Sequence, residues 1–383
     1  MGSKQLQTIM DEGLAERVGF EPTIRFWRIL TFQASAFDHS ATAPHCSGSA
    51  GPSGAWGDAQ GAKGWHKRSM KQAHAFAALA LLAAPLNAEE PAKPVVLAPG
   101  EIVSAAPAAD WVTIPPSDLL IMDLAPDAKG KPRRVVIQLM PLPFPEGWIG
   151  NIRKLAAAHW WDGTSVNRVQ DNYVVQWGDA NGDDEAKAKP LPAGMATIAE
   201  KDYLSHAIRY RMAPPNQVAL GSDAYAKNNW FEIGFPIAGD TFGMVWPVHC
   251  YGMVGVGRDL PPNTGTGAEL YTVIGHAPRH LDRNIALVGR VIEGIEHLSA
   301  LPRGTGALGF YETAEERVPI RSVRIASEME TDKPLPKFEY LSTTSKSFSA
   351  YAEARANRRD PFFIRPAGGA DICNIPVPVR RAK

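Results

Sequence analysis

The stretch WWDGTSVNRVQDNYVVQWGD, Trp160 to Asp179, places Arg168 and Gln176 in a largely apolar run broken by turn residues. SVNRV and NYVVQWG are both typical of half-buried strands. If the turn between them centres on Asn172, residues equidistant from it become cross-strand neighbours, and Arg168 faces Gln176. The glutamine carbonyl could then hold the guanidinium in one pose. A surface arginine with an incidental neighbour is the alternative.

The composition is that of a neutral globular protein. The chain has 383 residues, of which 45% are hydrophobic and 21% charged, and its formal net charge is zero. This length allows one or two domains. The zero charge gives no indication of nucleic-acid binding, which usually requires a basic surface. The 34 glycines and 32 prolines favour many short strands and loops over a helical bundle.

An interior segment that begins at Met70 has the pattern of a secretory signal peptide. Basic residues precede an apolar core over residues 75–86, and a small residue and two glutamates follow it. The core is too short to span a bilayer, which needs about 20 residues. We therefore predict a signal peptide over residues 70–88, export to the periplasm, and no stable membrane insertion after cleavage. A buried core helix is the alternative, and the polar AEEPAKP that follows argues against it.

The remaining segments follow from this assignment, because a signal peptide is read at an amino terminus. We predict that residues 1–69 are a spurious or disordered extension and that residues 89–110 form a Pro/Ala-rich linker. A folded domain is then expected over residues 111–327 and a C-terminal extension over residues 328–383.

The cysteines leave two possibilities. Cys46 falls in the doubtful leader, so Cys250 and Cys373 remain in the exported part of the chain. Two cysteines in an exported protein permit one disulfide. Two unpaired buried cysteines are the alternative.

Apolar runs separated by turn residues predict about eight strands. The candidate runs lie at residues 119–124, 135–140, 165–169, 172–178, 228–237, 252–257, 269–278, 285–291 and 318–326. Helical spacing predicts one helix around Ile152 and Leu155 and another around Leu298, with a further short helix near Tyr351 in the extension. The pattern favours a mainly β fold with a closed barrel and two capping helices.

Several motifs that could carry other chemistry are incomplete. No G-x-S-x-G elbow supports a hydrolase triad. We predict that His249, His276, His280 and His297 are ordinary surface or loop residues, because they lack the spacing of metal ligands. GMVGVG and NTGTG do not lie between a strand and a helix, and NGDDE lacks EF-hand spacing. The sequence therefore predicts neither a metal nor a cofactor.

Three blocks resemble the cyclophilin-type peptidyl-prolyl cis-trans isomerases. The family signature has an aromatic residue followed by D-G-T, then R-V, then an aromatic residue, two apolar residues and Q-G-G-D, and residues 161–179 are similar to it. ELYTVIGHAPRHLDRNIALVGRVIEGIEHL (residues 269–298) and PIRSVRI (residues 319–325) resemble two further family blocks. The resemblance covers roughly residues 119–326 and implies a closed eight-stranded cyclophilin-like barrel capped by two helices.

The resemblance also implies roles for individual residues. Arg168 would be catalytic, with Gln176 as its hydrogen-bonding support. The substrate-binding pocket would comprise Tyr173, Val174, Glu269, Tyr271, His280 and Leu281. The expected activity is isomerisation of X–Pro bonds in proline-containing polypeptide clients, assisting the folding of exported proteins by a cofactor-free monomer. A non-catalytic cyclophilin-like peptide-binding or chaperone module is the alternative.

The alternative depends on departures from the family pattern. Asn167 and Ile285 stand where the family usually has histidine, Glu269 where it has glutamine, and His280 where it has tryptophan. Gly257-Arg258 replaces the usual Ala-Asn, and the segment between Asp179 and Gly252 is long and unlike the family. These changes bear on substrate preference and rate more than on the fold.

The first prediction concerns the start of translation. Because a signal peptide must lie at the amino terminus, the natural start should be Met70, and the mature chain should begin after residue 88. Amino-terminal sequencing of the natively expressed protein measures this directly. Recovery of mature protein that begins before Met70 would contradict it.

Overall fold

The computed structural model describes residues 96–141, 145–206, 218–329 and 335–382. The predicted signal peptide at residues 70–88 and the leader at residues 1–69, with Cys46, lie outside these described residues.

Fifteen strands and four α-helices occur in the described residues. The helices are α1 (Pro99–Ala105), α2 (Glu146–Ala157), α3 (Glu296–Ser299) and α4 (Lys346–Ala356). The strands are β1 (Trp111–Ile114), β2 (Leu119–Leu124), β3 (Arg133–Leu139), β4 (Ser165–Val169), β5 (Val174–Gly178), β6 (Ser205–His206), β7 (Asn228–Glu232), β8 (Phe235–Gly239), β9 (Met244–Pro247), β10 (Met253–Val256), β11 (Leu270–Val273), β12 (Leu287–Glu293), β13 (Val318–Ile325), β14 (Phe338–Leu341) and β15 (Val379–Arg381).

Eight of the strands close into an antiparallel barrel. Their order is β10-β11-β5-β4-β13-β2-β3-β12, and β12 returns to pair with β10. The barrel confirms the predicted mainly β fold and the eight-stranded closure. Closure leaves no unpaired edge in this sheet, so each strand has hydrogen-bonding neighbours on both sides.

One side of the barrel is buried on both faces, which explains its continuous apolar strands. In β2, Leu120 and Met122 point into the barrel core, whereas Leu119 and Ile121 belong to a second core outside it. A strand with one face in water would alternate apolar and polar residues instead. The continuous apolar run LLIMDL therefore reflects packing on both faces of β2.

Two helices cap the barrel core, as predicted. Ile149, Ile152 and Leu155 of α2 are buried in that core at the expected helical spacing. Helix α3 is shorter than its apolar pattern suggests, and Leu298 is its buried residue. Inward-facing strand side chains and the apolar faces of these helices together form a packed core rather than a pore.

The second core belongs to two further sheets. The order β6-β9-β8-β7 forms one sheet, and β1-β14-β15 forms the other. The run at residues 228–237, expected as one strand, is a hairpin of β7 and β8 in this accessory sheet rather than part of the barrel. Phe231 of β7 meets Phe348 of α4 edge to face at 5.1 Å between ring centroids. The described part of the predicted linker, residues 96–110, contains α1 and so has regular structure.

Cys250 and Cys373 form a disulfide, which resolves the two possibilities that the sequence leaves open. The bond joins the turn after β9 to the segment that follows α4. It therefore fastens the C-terminal extension to the chain just before barrel strand β10. None of the helices in the described ranges is long and apolar enough to span a bilayer.

The disulfide gives the second prediction. Cys373→Ser should lower the free energy of unfolding by about 2–5 kcal/mol, because a cross-link between distant residues restricts the unfolded chain. The two cysteines are 123 residues apart, so the closed loop is long. Thermal unfolding with and without dithiothreitol measures the effect, and reduced wild type should match the variant. An unfolding midpoint that does not fall on reduction would contradict the prediction.

Candidate functional site

The hairpin of β4 and β5 aligns the two residues that the opening stretch singles out. Arg168 lies directly opposite Gln176, as a turn centred on Asn172 predicts. Asn172 adopts a left-handed conformation with φ of 52°, which asparagine tolerates better than most residues. Its Oδ1 also accepts a 2.9 Å hydrogen bond from the backbone N–H of His276, which ties the turn to the segment after β11.

The guanidinium of Arg168 is buried and held by three acceptors. Its Nε donates to the carbonyl of Leu308 at 2.8 Å, its Nη1 donates to Gln176 Oε1 at 3.3 Å, and its Nη2 donates to Gln170 Oε1. Only 6% of the residue is exposed. A buried cation is stable only where hydrogen bonds replace its lost water. These three bonds therefore fix the plane of the guanidinium as well as stabilising it.

Two aromatic rings complete the surroundings of this cation. The guanidinium carbon of Arg168 lies 5.2 Å from the ring centroid of Phe310 and 5.7 Å from that of Tyr173. Aromatic faces attract a cation at such distances. Aromatic rings thus border part of the charged group.

Gln176 connects Arg168 to Glu269. While its Oε1 accepts from the arginine, its Nε2 donates to Glu269 Oε2 at 2.8 Å. Each end of the amide therefore has a partner of the matching kind, which fixes the amide orientation. Gly178 leaves room for this contact, because a Cβ there would lie 2.9 Å from Glu269 Cγ.

The carboxyl group of Glu269 is held in an environment that disfavours its charge. Burial raises its pKa to about 7, and the nearby carboxylates of Asp183 and Asp179 act in the same direction. The hydrogen bond from Gln176 opposes the shift without cancelling it. The carboxyl group therefore changes its protonation state near neutral pH.

These side chains border a cavity of about 350 Å³, which we call the site cavity. Seven predicted site residues line it: Arg168, Tyr173, Val174, Gln176, Glu269, Tyr271 and Leu281. Val174, Tyr271 and Leu281 pack with Val273 in one buried apolar cluster, so part of the wall is apolar. The eighth predicted residue, His280, is not among the lining residues. Its exposed ring stacks on Tyr173 from outside, with the centroids 6.4 Å apart.

The other departures from the family pattern divide into two groups. Ile285, Gly257 and Arg258 line the site cavity and change its surface. Asn167 does not line it: its Nδ2 donates to the Gly178 carbonyl and its Oδ1 accepts from a neighbouring serine. Asn167 therefore supports the hairpin rather than the cavity.

The sequence does not predict several residues that contact Arg168. Gln170, Leu308 and Phe310 all contact Arg168, yet no local pattern marks them. The prediction that His249 is an ordinary surface or loop histidine is wrong. Its side chain is fully buried and hydrogen-bonds to Tyr271 and Asp282, because the turn after β9 runs behind the cavity.

One solved cyclophilin has a similar fold. The crystal structure of the cyclophilin AquaCyp293 from Hirschia baltica is similar, with a TM-score of 0.54, 19% sequence identity, and coverage of 76% of this chain and 100% of that one. A cyclophilin-type isomerase from Cryptosporidium parvum, crystallised in the presence of the dipeptide Ala-Pro, has a TM-score of 0.33 and 11% identity over 54% of this chain and 98% of that one.

Comparison of the sequence with curated proteins and with family models gives two further results. The search of curated proteins finds no match. The family model described as cyclophilin type peptidyl-prolyl cis-trans isomerase/CLD matches residues 127–328, which is more than half of the chain. With its closed barrel, the chain therefore belongs to the cyclophilin-type peptidyl-prolyl cis-trans isomerase family.

Proposed function

We propose that this protein accelerates cis-trans rotation of X–Pro bonds in exported polypeptide clients and so assists their folding. The observation that carries the proposal is a buried arginine, Arg168, in the wall of a partly apolar cavity. In the proposed complex, the apolar cluster of Val174, Tyr271 and Leu281 receives the proline ring while Arg168 faces the prolyl amide.

The physics of the reaction suits this arrangement. Resonance gives the C–N bond partial double-bond character, and rotation meets a barrier of about 18–20 kcal/mol. Unaided X–Pro bonds exchange in tens to hundreds of seconds, which is slow enough to limit folding. When the amide twists, its nitrogen regains a lone pair that the planar ground state lacks. A donor fixed toward that nitrogen is favourable only in the transition state, so it lowers the barrier.

Arginine is better suited to this task than lysine. Its planar guanidinium can be anchored by some N–H groups while another points at a substrate. In Arg168 the bond from Nη1 to Gln176, at 3.3 Å, is longer than the 2.8 Å bond from Nε to Leu308. We infer that Nη1 is the donor that a twisted amide shares with Gln176, because its bond to Gln176 is the longer and weaker of the two.

Export to the periplasm is part of the proposal. The basic and apolar pattern of residues 70–88 supports it, and so does the Cys250–Cys373 disulfide. Such bonds persist in oxidising compartments and are rare in the cytosol. A folding assistant in that compartment would meet its clients as they emerge unfolded.

The second candidate function is a cyclophilin-like module that binds proline peptides without turnover. The substitutions at Glu269 and His280 are the observations that favour it. His280 lies outside the site cavity, and Glu269 presents an oxygen acceptor to Gln176, so neither substitution removes a bond to Arg168. We therefore place the enzyme first. Peptide binding without acceleration of X–Pro exchange would favour the module.

Arg168→Ala is the third prediction and the direct test of the enzyme. It should lower kcat/KM on a proline peptide about 100- to 1000-fold, the cost of losing one preorganised donor. Rates are measured with a protease-coupled proline-peptide assay at a temperature where both proteins are folded. Arg153→Ala is the matched control, because Arg153 pairs with Asp118 away from the cavity. Activity of Arg168→Ala within threefold of wild type would reject the catalytic role.

Glu269→Gln gives the fourth prediction, a pH dependence of stability. With a pKa of about 7 in the folded state against an ordinary value of 4.5, Glu269 holds its proton more tightly when folded. The resulting stabilisation is present below pH 4.5 and is lost as the pH rises through 7. Glutamine cannot ionise, so the variant should gain in Tm relative to wild type between pH 5 and about pH 8.5.

Thermal unfolding across this pH range measures the difference. Asp183→Asn removes one neighbouring negative charge and should move the transition to lower pH, because Asp183 raises the pKa of Glu269. A Tm difference between Glu269→Gln and wild type that stays constant from pH 5 to pH 8.5 would contradict the prediction.

A further inference from the structure

A chain of polar side chains lies buried behind the site cavity. The hydroxyl of Tyr271 is 2.8 Å from His249 Nε2, and His249 Nδ1 is 2.8 Å from Asp282 Oδ1. Arg279 Nε then donates to Asp282 Oδ2 at 2.6 Å. His249 is 0% exposed, and Asp282 and Arg279 are each 3% exposed. Polar groups buried this deeply are costly unless hydrogen-bonded.

The order of donors in this chain follows from the chemistry of its members. The carboxylate of Asp282 can only accept, and its Oδ1 takes both the ring N–H and the backbone N–H of His249, the latter at 3.0 Å. In a neutral imidazole, a protonated Nδ1 leaves Nε2 as an acceptor. In that tautomer Nε2 accepts from the Tyr271 hydroxyl, and this 2.8 Å contact is one restraint on the position of the phenol ring.

The Tyr271 ring is also confined by the neighbouring strand β10. Gly255 lies beneath it, and a Cβ at that position would be 2.3 Å from the phenol oxygen. The ring therefore fits only because residue 255 has no side chain, and it reaches His249 across the space that results. Steric contact on one side and a hydrogen bond at the tip together define where this wall of the cavity lies.

The same hydrogen-bond network also holds the part of the cavity wall formed by Leu281. Leu281 lies in the short 3-10 turn Arg279–Leu281, and Asp282 follows directly. The ion pair between Arg279 and Asp282 closes this turn. Tyr271 and Leu281 pack in one apolar cluster, so His249 and Asp282 bridge the supports of both walls.

The end of this hydrogen-bond network that lies farthest from Tyr271 is held by the insertion, the long segment between Asp179 and Gly252. Arg279 Nη1 donates to Asp223 Oδ2 at 2.9 Å, and its guanidinium lies 5.0 Å from the ring centroid of Tyr225. Burial lowers the pKa of Arg279, but the carboxylates of Asp282 and Asp223 outweigh that effect and raise it above its ordinary value. The guanidinium thus stays charged and joins the insertion to the cavity wall.

We propose that His249, Asp282 and Arg279 are positioning residues that set the width of the proline pocket by fixing Tyr271 and the turn that carries Leu281. The inference rests on the proposed function, in which the site cavity receives a proline ring. These three residues determine the affinity of the pocket for proline and do not hold the donor Arg168.

Tyr271→Phe is the fifth prediction, because it removes one hydroxyl and keeps the ring. Dissociation constants for an Ala-Pro-containing peptide, measured by calorimetry, and KM should both rise about tenfold, since a loosened wall binds ground and transition states less well alike. The kcat value should change less than threefold. Tyr351→Phe is the matched control: Tyr351 is 6% exposed against 5% for Tyr271 and loses a 2.7 Å bond to the Pro376 carbonyl, away from the cavity. It should lower Tm without changing either constant.

Asp223→Asn weakens the ion pair with Arg279 at the partly exposed end of the network. It should raise the dissociation constant for the same peptide about two- to threefold. This variant tests the inference even if Tyr271→Phe does not fold. Equal losses of Tm in the two tyrosine variants, with no change in peptide affinity, would overturn the positioning role and leave catalysis by Arg168 intact. If the wild type binds the peptide without turning it over, the proposed catalysis is wrong. The peptide affinities of the variants relative to wild type would then still test the positioning role. Wild type that binds no proline peptide would overturn both.

Discussion

The hydrogen bonds that hold the Arg168 guanidinium inside the cavity wall are the constraint on which the rest of the site depends. Gln176 supplies one acceptor from the adjacent strand, and Leu308 supplies another from 140 residues downstream. A buried cation without these acceptors would be strongly destabilising. Barrel closure meets the requirement, because the segment before β13 is brought across β4 and forms a bridge between Arg168 and Phe310. The burial of this charge therefore depends on the topology of the barrel as much as on the local sequence.

The layers outside the barrel influence the same site from behind. The barrel side formed by β2 and β3 is covered by a second core, so these strands are packed on both faces. The accessory segments also contact the residues that support a cavity wall, since Asp223 of the insertion pairs with Arg279 and the Cys250–Cys373 disulfide lies next to His249 in sequence. An insertion that looks like a mere interruption of the family pattern thus supplies a support for a cavity wall.

The sequence predicts well what depends on local periodicity. The hairpin places Arg168 opposite Gln176 because the strand period and the local turn at Asn172 pair these two positions. The range of β2 and the buried face of α2 follow in the same way from apolar spacing. Contacts between distant segments carry no such period. The placement of β7 and β8 in a separate sheet, the approach of Phe310 to Arg168, and the burial of His249 all depend on tertiary packing.

The departures from the family pattern are best judged by the atoms that they contribute. Glu269 offers Gln176 Nε2 a carboxyl oxygen where a glutamine would offer an amide oxygen, so the acceptor at that position is retained. Asn167 is occupied with the Gly178 carbonyl, and Ile285 adds apolar surface to a cavity proposed to receive a proline ring. None of these changes removes a hydrogen bond to Arg168. Their expected consequences are a carboxyl group that titrates near neutral pH and an altered affinity, while the arginine that the proposed mechanism needs keeps its supports.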